Sequence, residues 1–263
     1  MKKIFGIILI VLLFWSILIE PNLLTVKKYK IVNQDLSGFR IIFVSDFHLK
    51  SGVSHRLDRL VAKIKEQKPD ILLLGGDFFE DTQNEDISVI DSVIASLGSL
   101  KPTYGVFAVL GNHEWLVSRN KAKNLFKKHG VVLLSDENKC LSISNKKLCV
   151  VGLEDILFQN VDISKAMRGV EKTVILLSHS PDVFGDIPNN VDLVLAGHTH
   201  GGQVNIPFVG RPIVPSAFGD KYAYGLIEED GKKMIVTSGI GTSILPIRFN
   251  CPPEIVVVDF CKE

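Results

Sequence analysis

Five short apolar segments recur along the chain, and each has the pattern of a buried β-strand. They are mostly continuous in hydrophobicity and rich in branched side chains, as strands covered on both faces are. The five segments are residues 40–44, 70–74, 106–110, 173–177 and 191–195. The C-terminal third lacks helical periodicity, and it predicts further strands at residues 222–228, 233–237 and 255–259.

Helical patterns lie between several of these strands. Two sets of four residues follow the i, i+3, i+4, i+7 spacing of an amphipathic helix: Leu57, Leu60, Val61 and Ile64, and Ile87, Ile90, Ile94 and Leu97. A third helix is predicted to begin near Ser118 and to end at Gly130, because glycine commonly terminates helices. Strands that alternate with helices predict an α/β fold.

The N-terminus has a different pattern, because residues 4–19 are apolar without a single charge. This run is slightly shorter than the roughly 20 residues of a full membrane span, and no small-residue cleavage pattern follows it. We predict an uncleaved membrane anchor with a short basic linker over residues 1–30, and a catalytic domain over residues 31–263. A buried N-terminal helix is the alternative, although no polar face interrupts this run, whereas most surface helices have one.

Composition and charge narrow the class of protein. The chain has 263 residues, 46% of them hydrophobic, which excludes a mostly disordered protein. Without residues 1–30 the chain keeps 25 basic and 28 acidic residues, a net charge of −3. That charge disfavours a nucleic-acid partner. A mildly acidic domain that binds phosphate needs positive charge from another source, and metal ions are one.

The four cysteines bear on the cellular compartment. They form no C-x-x-C pair and are too scattered for a disulfide scaffold. We interpret them as free thiols, which favours the cytoplasmic face of the membrane. Lysines on both sides of the apolar run leave its orientation open.

The residues with metal-binding or catalytic chemistry directly follow the five apolar strands. They form the segments Ser45-Asp46-Phe47-His48, Gly75-Gly76-Asp77, Gly111-Asn112-His113-Glu114, Ser178-His179 and Gly197-His198-Thr199-His200. Open α/β sheets bind ligands outside the carboxyl ends of their strands, so we expect one polar cluster there. Five of the seven histidines lie in these segments, and only His55 and His129 lie elsewhere. The glycines are expected where loop backbones approach closely.

Imidazole and carboxylate groups without thiolate suit zinc, manganese, iron or nickel. Asp46 and His48 are one residue apart, and in an extended chain both would point to the same side; His198 and His200 have the same spacing. The candidate ligands outnumber what one tetrahedral ion needs, so they indicate two metal ions, as in phosphoester hydrolases. The seven candidates are Asp46, His48, Asp77, Asn112, His179, His198 and His200.

These five motifs, in this order, resemble those of the calcineurin-like metallophosphoesterases. The resemblance implies a four-layer αββα sandwich and two divalent ions, with manganese, iron and zinc as candidates. It implies that Asp46, His48 and His200 bind the first metal, that Asp77 bridges, and that Asn112, His179 and His198 bind the second. It also implies that His113 is the catalytic histidine and not a ligand. Glu114 has two interpretations. It is either a hydrogen-bond partner that orients His113 or one of the metal ligands, or a solvated acid at the start of a helix.

The segment GHTHGGQ at 197–203 and the glycine- and proline-rich tail at 239–254 resemble a membrane-associated bacterial branch of that family. The branch includes YaeI-type phosphodiesterases and UDP-2,3-diacylglucosamine pyrophosphatases. The resemblance implies hydrolysis of a phosphodiester or pyrophosphate bond at the bacterial inner membrane, in a peripheral or single-pass protein. We favour a lipid-linked substrate such as UDP-2,3-diacylglucosamine, a lipid A precursor; soluble nucleotides or glycerophosphodiesters are the alternative.

The segment 202–224, which follows the last motif, mixes apolar residues with prolines. It is interpreted either as an apolar wall that admits an acyl chain or docks on a bilayer, or as an ordinary β-hairpin. Arg211, Lys221 and Arg248 are candidates for holding a second phosphate, or are simply solvated.

Overall fold

The apolar strands form two six-stranded mixed β-sheets that pack face to face. The structure is a computed structural model that describes residues 2–49, 54–79, 87–114 and 118–262. Within these ranges the chain forms twelve strands: β1 (Thr25–Val32), β2 (Arg40–Val44), β3 (Ile71–Leu74), β4 (Val106–Ala108), β5 (Val131–Leu133), β6 (Glu137–Ile143), β7 (Lys146–Gly152), β8 (Val174–Leu177), β9 (Leu193–Ala196), β10 (Gly225–Glu229), β11 (Lys232–Val236) and β12 (Glu254–Cys261).

The first sheet has the order β1-β12-β2-β3-β4-β5 and the second β10-β11-β9-β8-β7-β6. β2 to β5 are mutually parallel, and so are β7, β8, β9 and β11. The carboxyl ends of the motif-bearing strands therefore lie at a common edge of each sheet.

Apart from Arg40 at the start of β2, the motif-bearing strands are apolar because both of their faces are covered. In β2, Ile41 and Phe43 belong to the core between the sheets, whereas Ile42 and Val44 belong to the core under the helices. All four are fully buried. Burial of such side chains stabilises the fold by about 1.5–3 kcal/mol each.

Helices supply the two outer layers. The helices are α1 (Lys2–Phe14), α2 (Ser54–Glu66), α3 (Ile87–Gly98), α4 (Arg119–Lys128) and α5 (Ile163–Ala166). The apolar faces of α2, α3 and α4 pack on the first sheet, through residues such as Leu60, Ile94 and Phe126. α5 and the 3₁₀ turn Pro181–Asp186 cover the second sheet. The predicted α/β fold and its four-layer sandwich are confirmed.

Residues 25–30, predicted as a basic linker, form most of β1 at the edge of the first sheet. β1 pairs in parallel with β12, from Thr25 opposite Glu254 to Val32 opposite Cys261. Its three lysines interrupt the apolar pattern by which the other strands are predicted. Exposed lysines are common on edge strands because they discourage pairing with a further strand. The basic segment is therefore part of the sheet, while the division into anchor and catalytic domain stays a prediction.

Two of the four cysteines are paired. Cys140 and Cys149 lie opposite each other in the antiparallel pair β6–β7 and form a disulfide, whereas Cys251 and Cys261 are free. The prediction of free thiols is wrong for Cys140 and Cys149. The lysine-rich β6–β7 hairpin has no continuous apolar pattern, so the sequence does not show that these two cysteines lie opposite each other. Since disulfides persist mainly in oxidising compartments, the cysteines no longer favour the cytoplasmic face.

The N-terminal helix continues past α1 through a π-helical turn, Trp15–Ile19, and a 3₁₀ turn, Glu20–Asn22. Residues Lys3–Asn22 are, by length and composition, long and apolar enough to cross a membrane. Most of the apolar side chains of this segment are exposed. Its end is nevertheless fixed to the catalytic fold, because Ser16 and Glu20 are buried there.

Candidate active site

The loops after β2, β3, β4, β8 and β9 meet at one edge of the sandwich, where they bring all eight predicted side chains together. These are Asp46, His48, Asp77, Asn112, His113, His179, His198 and His200. Ligand-type atoms of Asp46, His48 and His200 all lie within 4.8 Å of one another, and so do those of Asp77, His179 and His198. The expected single polar cluster is thus present as two adjacent groups.

Asp77 lies between the two groups. Its Oδ2 is 3.4 Å from His48 Nε2 on one side and 3.3 Å from His179 Nε2 on the other. His113 Nε2 is 4.0 Å from the same oxygen, and the backbone N–H of His113 donates to Asp77 Oδ1. One carboxylate therefore faces both groups, as a bridging ligand would.

The second group is completed by Asn112, whose Oδ1 lies 2.9 Å from His179 Nε2. The other ring nitrogen of His179 lies 2.8 Å from the carbonyl oxygen of Gly75. A carbonyl can only accept, so Nδ1 carries a proton and donates it to Gly75, which leaves Nε2 facing the cluster. Such outer hydrogen bonds orient histidine ligands in metal sites.

The side chains converge because of left-handed backbone, and not because of extended chain as predicted. Asp46 and His48 have φ of 56° and 43°, and His198 and His200 have φ of 68° and 51°. Positive φ is uncommon for any residue other than glycine, although aspartate and histidine adopt it more often than most. Several residues with strained backbone at one site are typical of functional loops.

Glycines let these loops approach closely, as predicted. A Cβ on any of four glycines would collide with a neighbouring site loop: Gly75, Gly76, Gly111 and Gly197. At Gly76, which has φ of +93°, the obstacle is the backbone of Gly111 in the next loop.

Glu114 is buried, so its interpretation as a solvated acid is wrong. Its carboxylate accepts hydrogen bonds from the backbone N–H groups of Asp77 (3.0 Å), Phe78 (2.7 Å) and Gly111 (2.8 Å). Burial and then the nearby charge of Asp77 raise the pKa of Glu114 to about 7, although the backbone donors oppose the shift. Glu114 therefore joins the β3 and β4 loops that carry Asp77 and Asn112.

The electrostatics of the cluster suit cations. Burial, and then the charge of His179, lower the pKa of His198 to about 3. Burial, and then His48, hold the pKa of His200 well below its usual range. These two imidazoles are therefore neutral, the form that binds metals. Burial alone would raise the pKa of Asp77, but the charge and hydrogen bond of His179 hold it well below its usual range.

A buried carboxylate oxygen of Asp46 indicates that the cluster is suited to bind a metal ion. Among the residues that the structure describes, Asp46 Oδ2 is fully buried and receives no hydrogen bond. Asp46 Oδ1 accepts from the backbone N–H of His198. An unpaired buried carboxylate oxygen is costly unless a cation neutralises it. The cluster can thus hold metal ions, and the donor set of oxygen and imidazole nitrogen leaves their identity open.

The cluster forms one wall of a cavity of about 530 Å³. Asp77, Asn112 and His113 line its polar side. The rest of the lining is mostly apolar and comes from two loops, with Val204, Pro212, Ile213, Pro215, Ile244, Leu245 and Ile247. The first loop is not a β-hairpin, because it contains only isolated bridges and its apolar tips are exposed. The sequence does not predict that the second loop lines the cavity, because residues 243–247 contain no recognisable motif.

Each of the three candidate phosphate-binding cations has a partner within the protein. The guanidinium of Arg248 is fully buried and donates to the backbone carbonyls of Ser238, Gly239, Gly241 and Cys251. Lys221 pairs with Glu229 on the surface. Arg211 donates to the carbonyl of Gly201. The prediction is therefore wrong for Arg248, which instead holds together the loop behind Asp46 and His48.

Fold and site together define a sandwich of two β-sheets and flanking helices that carries a metal-binding cluster of aspartate, asparagine and histidine. A family model, the calcineurin-like phosphoesterase, matches residues 39–202. The chain belongs to the calcineurin-like phosphoesterase family and is a phosphoesterase hydrolase, which confirms the resemblance seen in the five motifs.

Two relatives are similar over nearly their whole length. A metallophosphoesterase of Aquifex aeolicus is 35% identical over 256 residues, which cover 91% of this chain and 93% of that protein. The phosphodiesterase YaeI of Escherichia coli is 30% identical over 250 residues, which cover 91% and 89%. Among solved structures, the NAD nucleotidase NadN of Haemophilus influenzae matches with a TM-score of 0.50 and 16% identity. The match covers 76% of this chain and only 50% of NadN, and it shows a shared fold alone.

Proposed function

We propose that the chain hydrolyses a phosphodiester or pyrophosphate bond with two divalent metal ions at the Asp/His cluster. Asp46, His48 and His200 would hold one ion, Asn112, His179 and His198 the other, and Asp77 both. The position of Asp77 Oδ2, 3.4 Å from His48 and 3.3 Å from His179, is the observation that carries the proposal. Such a metal pair supplies an activated water and charge stabilisation for the phosphoryl group.

The chain's own residues would do the remaining work. His113 lines the cavity and is partly accessible, so it can donate a proton to the leaving oxygen or stabilise it electrostatically. Glu114 would hold Asp77 and Asn112 in place through their loops. His113 also lies near His48 and Asp77, where it could itself contact a metal. Metal analysis of a His113 variant therefore distinguishes a proton donor from a ligand.

We further propose that the substrate is lipid-linked. The cavity pairs a polar metal-binding wall with an apolar wall, which suits a phosphate attached to an acyl chain. The apolar helix Lys3–Asn22 would hold the domain at the bacterial inner membrane as a single-pass anchor. UDP-2,3-diacylglucosamine, cleaved at its pyrophosphate, is one candidate. A soluble phosphodiester is the second candidate, favoured by the relative that is named a phosphodiesterase.

Two assays on the full chain in detergent test these proposals in turn. Hydrolysis of bis(p-nitrophenyl) phosphate with Mn²⁺, compared with an Asp77→Ala variant, tests the reaction: we expect activity only in the parent chain. Absence of Mn²⁺-dependent hydrolysis would contradict the proposal. Detergent-solubilised UDP-2,3-diacylglucosamine, compared with UDP-N-acetylglucosamine, then tests the substrate. Preference for the acylated compound supports the lipid-linked assignment, and equal rates support the soluble alternative.

A further inference from the structure

An exposed apolar surface borders the cavity. Its members, which we call the apolar rim, come from the two loops that form the apolar wall: Ile206, Phe208, Val209, Ile213, Ile244 and Leu245. Phe208 is fully exposed, Ile244 is 92% exposed and Ile213 is 75% exposed. Residues 204–209 and 243–247 contain no charged side chain. Contiguous exposed apolar residues of this kind mark interaction surfaces.

The two loops of the rim form one rigid unit. The side-chain amide of Gln203 donates to the carbonyl of Ser243 at 2.9 Å, and its oxygen accepts from the N–H of Ser243 at 2.8 Å. The N–H of Phe249 donates to the carbonyl of Gln203. The tips of the loops are also strained, since Phe208 and Ile244 have φ of 68° and 63°. A β-branched residue such as Ile244 is seldom found there, and Ile244 is almost fully exposed among the residues that the structure describes.

The second loop of the rim is fastened to the N-terminal helix. The N–H of Arg248 donates to the carbonyl of Ser16 at 2.9 Å, and the N–H of Cys251 donates to Glu20 Oε1 at 2.6 Å. Ile244 is four residues from Arg248, so its backbone lies within about 14 Å of that contact. The rim therefore cannot lie far from the helix.

The level of the contact along the helix is also fixed. Ser16 lies six residues before Asn22, which is about 9 Å along a helix. At the helix end, Arg56 and Arg59 of α2 donate to the side chain and the carbonyl of Asn22. Arginines at the end of an apolar helix typically lie at the lipid headgroups. The contact at Ser16 would then be deeper in the bilayer than the arginines.

We infer that the apolar rim inserts into the same bilayer leaflet as the end of the N-terminal helix. The mouth of the metal-binding cavity then opens at the membrane surface, beside the acyl chains. This inference rests on the proposed membrane anchor and deepens the proposed lipid-linked substrate. It concerns the docking surface and requires no metal and no catalysis.

Site-directed fluorescence on the full chain tests the inference. An environment-sensitive dye is attached to Phe208→Cys or Ile244→Cys, in a Cys261→Ser background because Cys251 is buried. The matched control is Val132→Cys, an exposed apolar position on β5, at the opposite edge of the first sheet from β1. Each protein is reconstituted in vesicles of phosphatidylcholine and phosphatidylglycerol. Quenching by nitroxide-labelled lipid and by aqueous iodide is then measured.

We expect lipid nitroxide, and not iodide, to quench the dyes at positions 208 and 244, and the reverse at position 132. Iodide quenching at 208 and 244 equal to that at 132 would overturn the inference. Protection from both quenchers would overturn it as well, because a protein surface would then cover the rim. Hydrolysis of bis(p-nitrophenyl) phosphate by the labelled Phe208→Cys chain reports separately on folding and on the proposed reaction.

Discussion

Two site loops approach each other closely at Gly76, and replacing that glycine tests the architecture of the cluster. A Cβ at position 76 would stand against the backbone nitrogen and Cα of Gly111. Backbone on both sides cannot move aside as a flexible side chain can. Gly38 provides a matched control, because its φ of +88° resembles the +93° of Gly76, and no atom lies within 4 Å of an added Cβ.

Gly76→Ala and Gly38→Ala both place an alanine in left-handed backbone, but only Gly76→Ala also creates a steric clash. An alanine in left-handed backbone loses about 1–2 kcal/mol of stability at either position. The clash at position 76 adds about 1–3 kcal/mol of overpacking, for a total of about 2–5 kcal/mol. Because the displaced loops carry Asp77 and Asn112, a shift of about 1 Å at the cluster should lower turnover by roughly a hundredfold.

Three measurements compare the variants: thermal unfolding, metal content, and hydrolysis of bis(p-nitrophenyl) phosphate. Gly38→Ala is expected to unfold at a slightly lower temperature, with metal content and rate unchanged. Gly76→Ala is expected to lose most of its rate and to bind metal more weakly. If both variants kept the parental rate, or lost it equally, the close packing of the β3 and β4 loops would not be what positions the cluster.

Three further substitutions address individual side chains. His113→Ala should lower kcat by about 10²–10⁴ with metal content intact, because only proton donation is lost; loss of metal by mass spectrometry would make His113 a ligand instead. Glu114→Gln leaves buried backbone N–H groups facing an amide nitrogen, so the free energy of unfolding should fall by about 1–3 kcal/mol per orphaned donor. Glu137→Gln, at a half-buried position where Glu137 pairs with Lys123, should change it by under about 0.5 kcal/mol. Arg248→Met orphans several buried carbonyls and should lower the unfolding temperature sharply, whereas a parental melting curve would refute its structural role.

The sequence predicts the strands of the sandwich that are covered on both faces, because such strands are apolar at nearly every position. β2, β3, β8 and β9 lie within a residue or two of the predicted segments. The strands that the sequence does not predict are β1, β5, β6 and β7. β1, β6 and β7 have lysines on exposed faces and therefore lack that pattern, whereas β5 is only three residues long. The Cys140–Cys149 disulfide was missed for the same reason, since it depends on the register of an unpredicted hairpin.

The site was predictable because its residues follow strands that end at one edge. The sequence does not specify the left-handed backbone at Asp46 and His48, since that conformation arises from contacts between loops far apart in the chain. The same limit applies to Arg248, which resembles a surface cation in sequence yet is fully buried. Long-range hydrogen bonds to carbonyls, such as those to Ser238 and Cys251, leave no local pattern.

The central claim is that the Asp/His cluster holds two cations on either side of Asp77. Anomalous X-ray diffraction from crystals of the full chain loaded with Mn²⁺ tests it most directly. The account predicts two anomalous peaks about 3.5–4 Å apart, with Asp77 between them, and none at this position in Asp77→Ala. A single peak, or metal bound away from Asp77 in an active crystal, would contradict it.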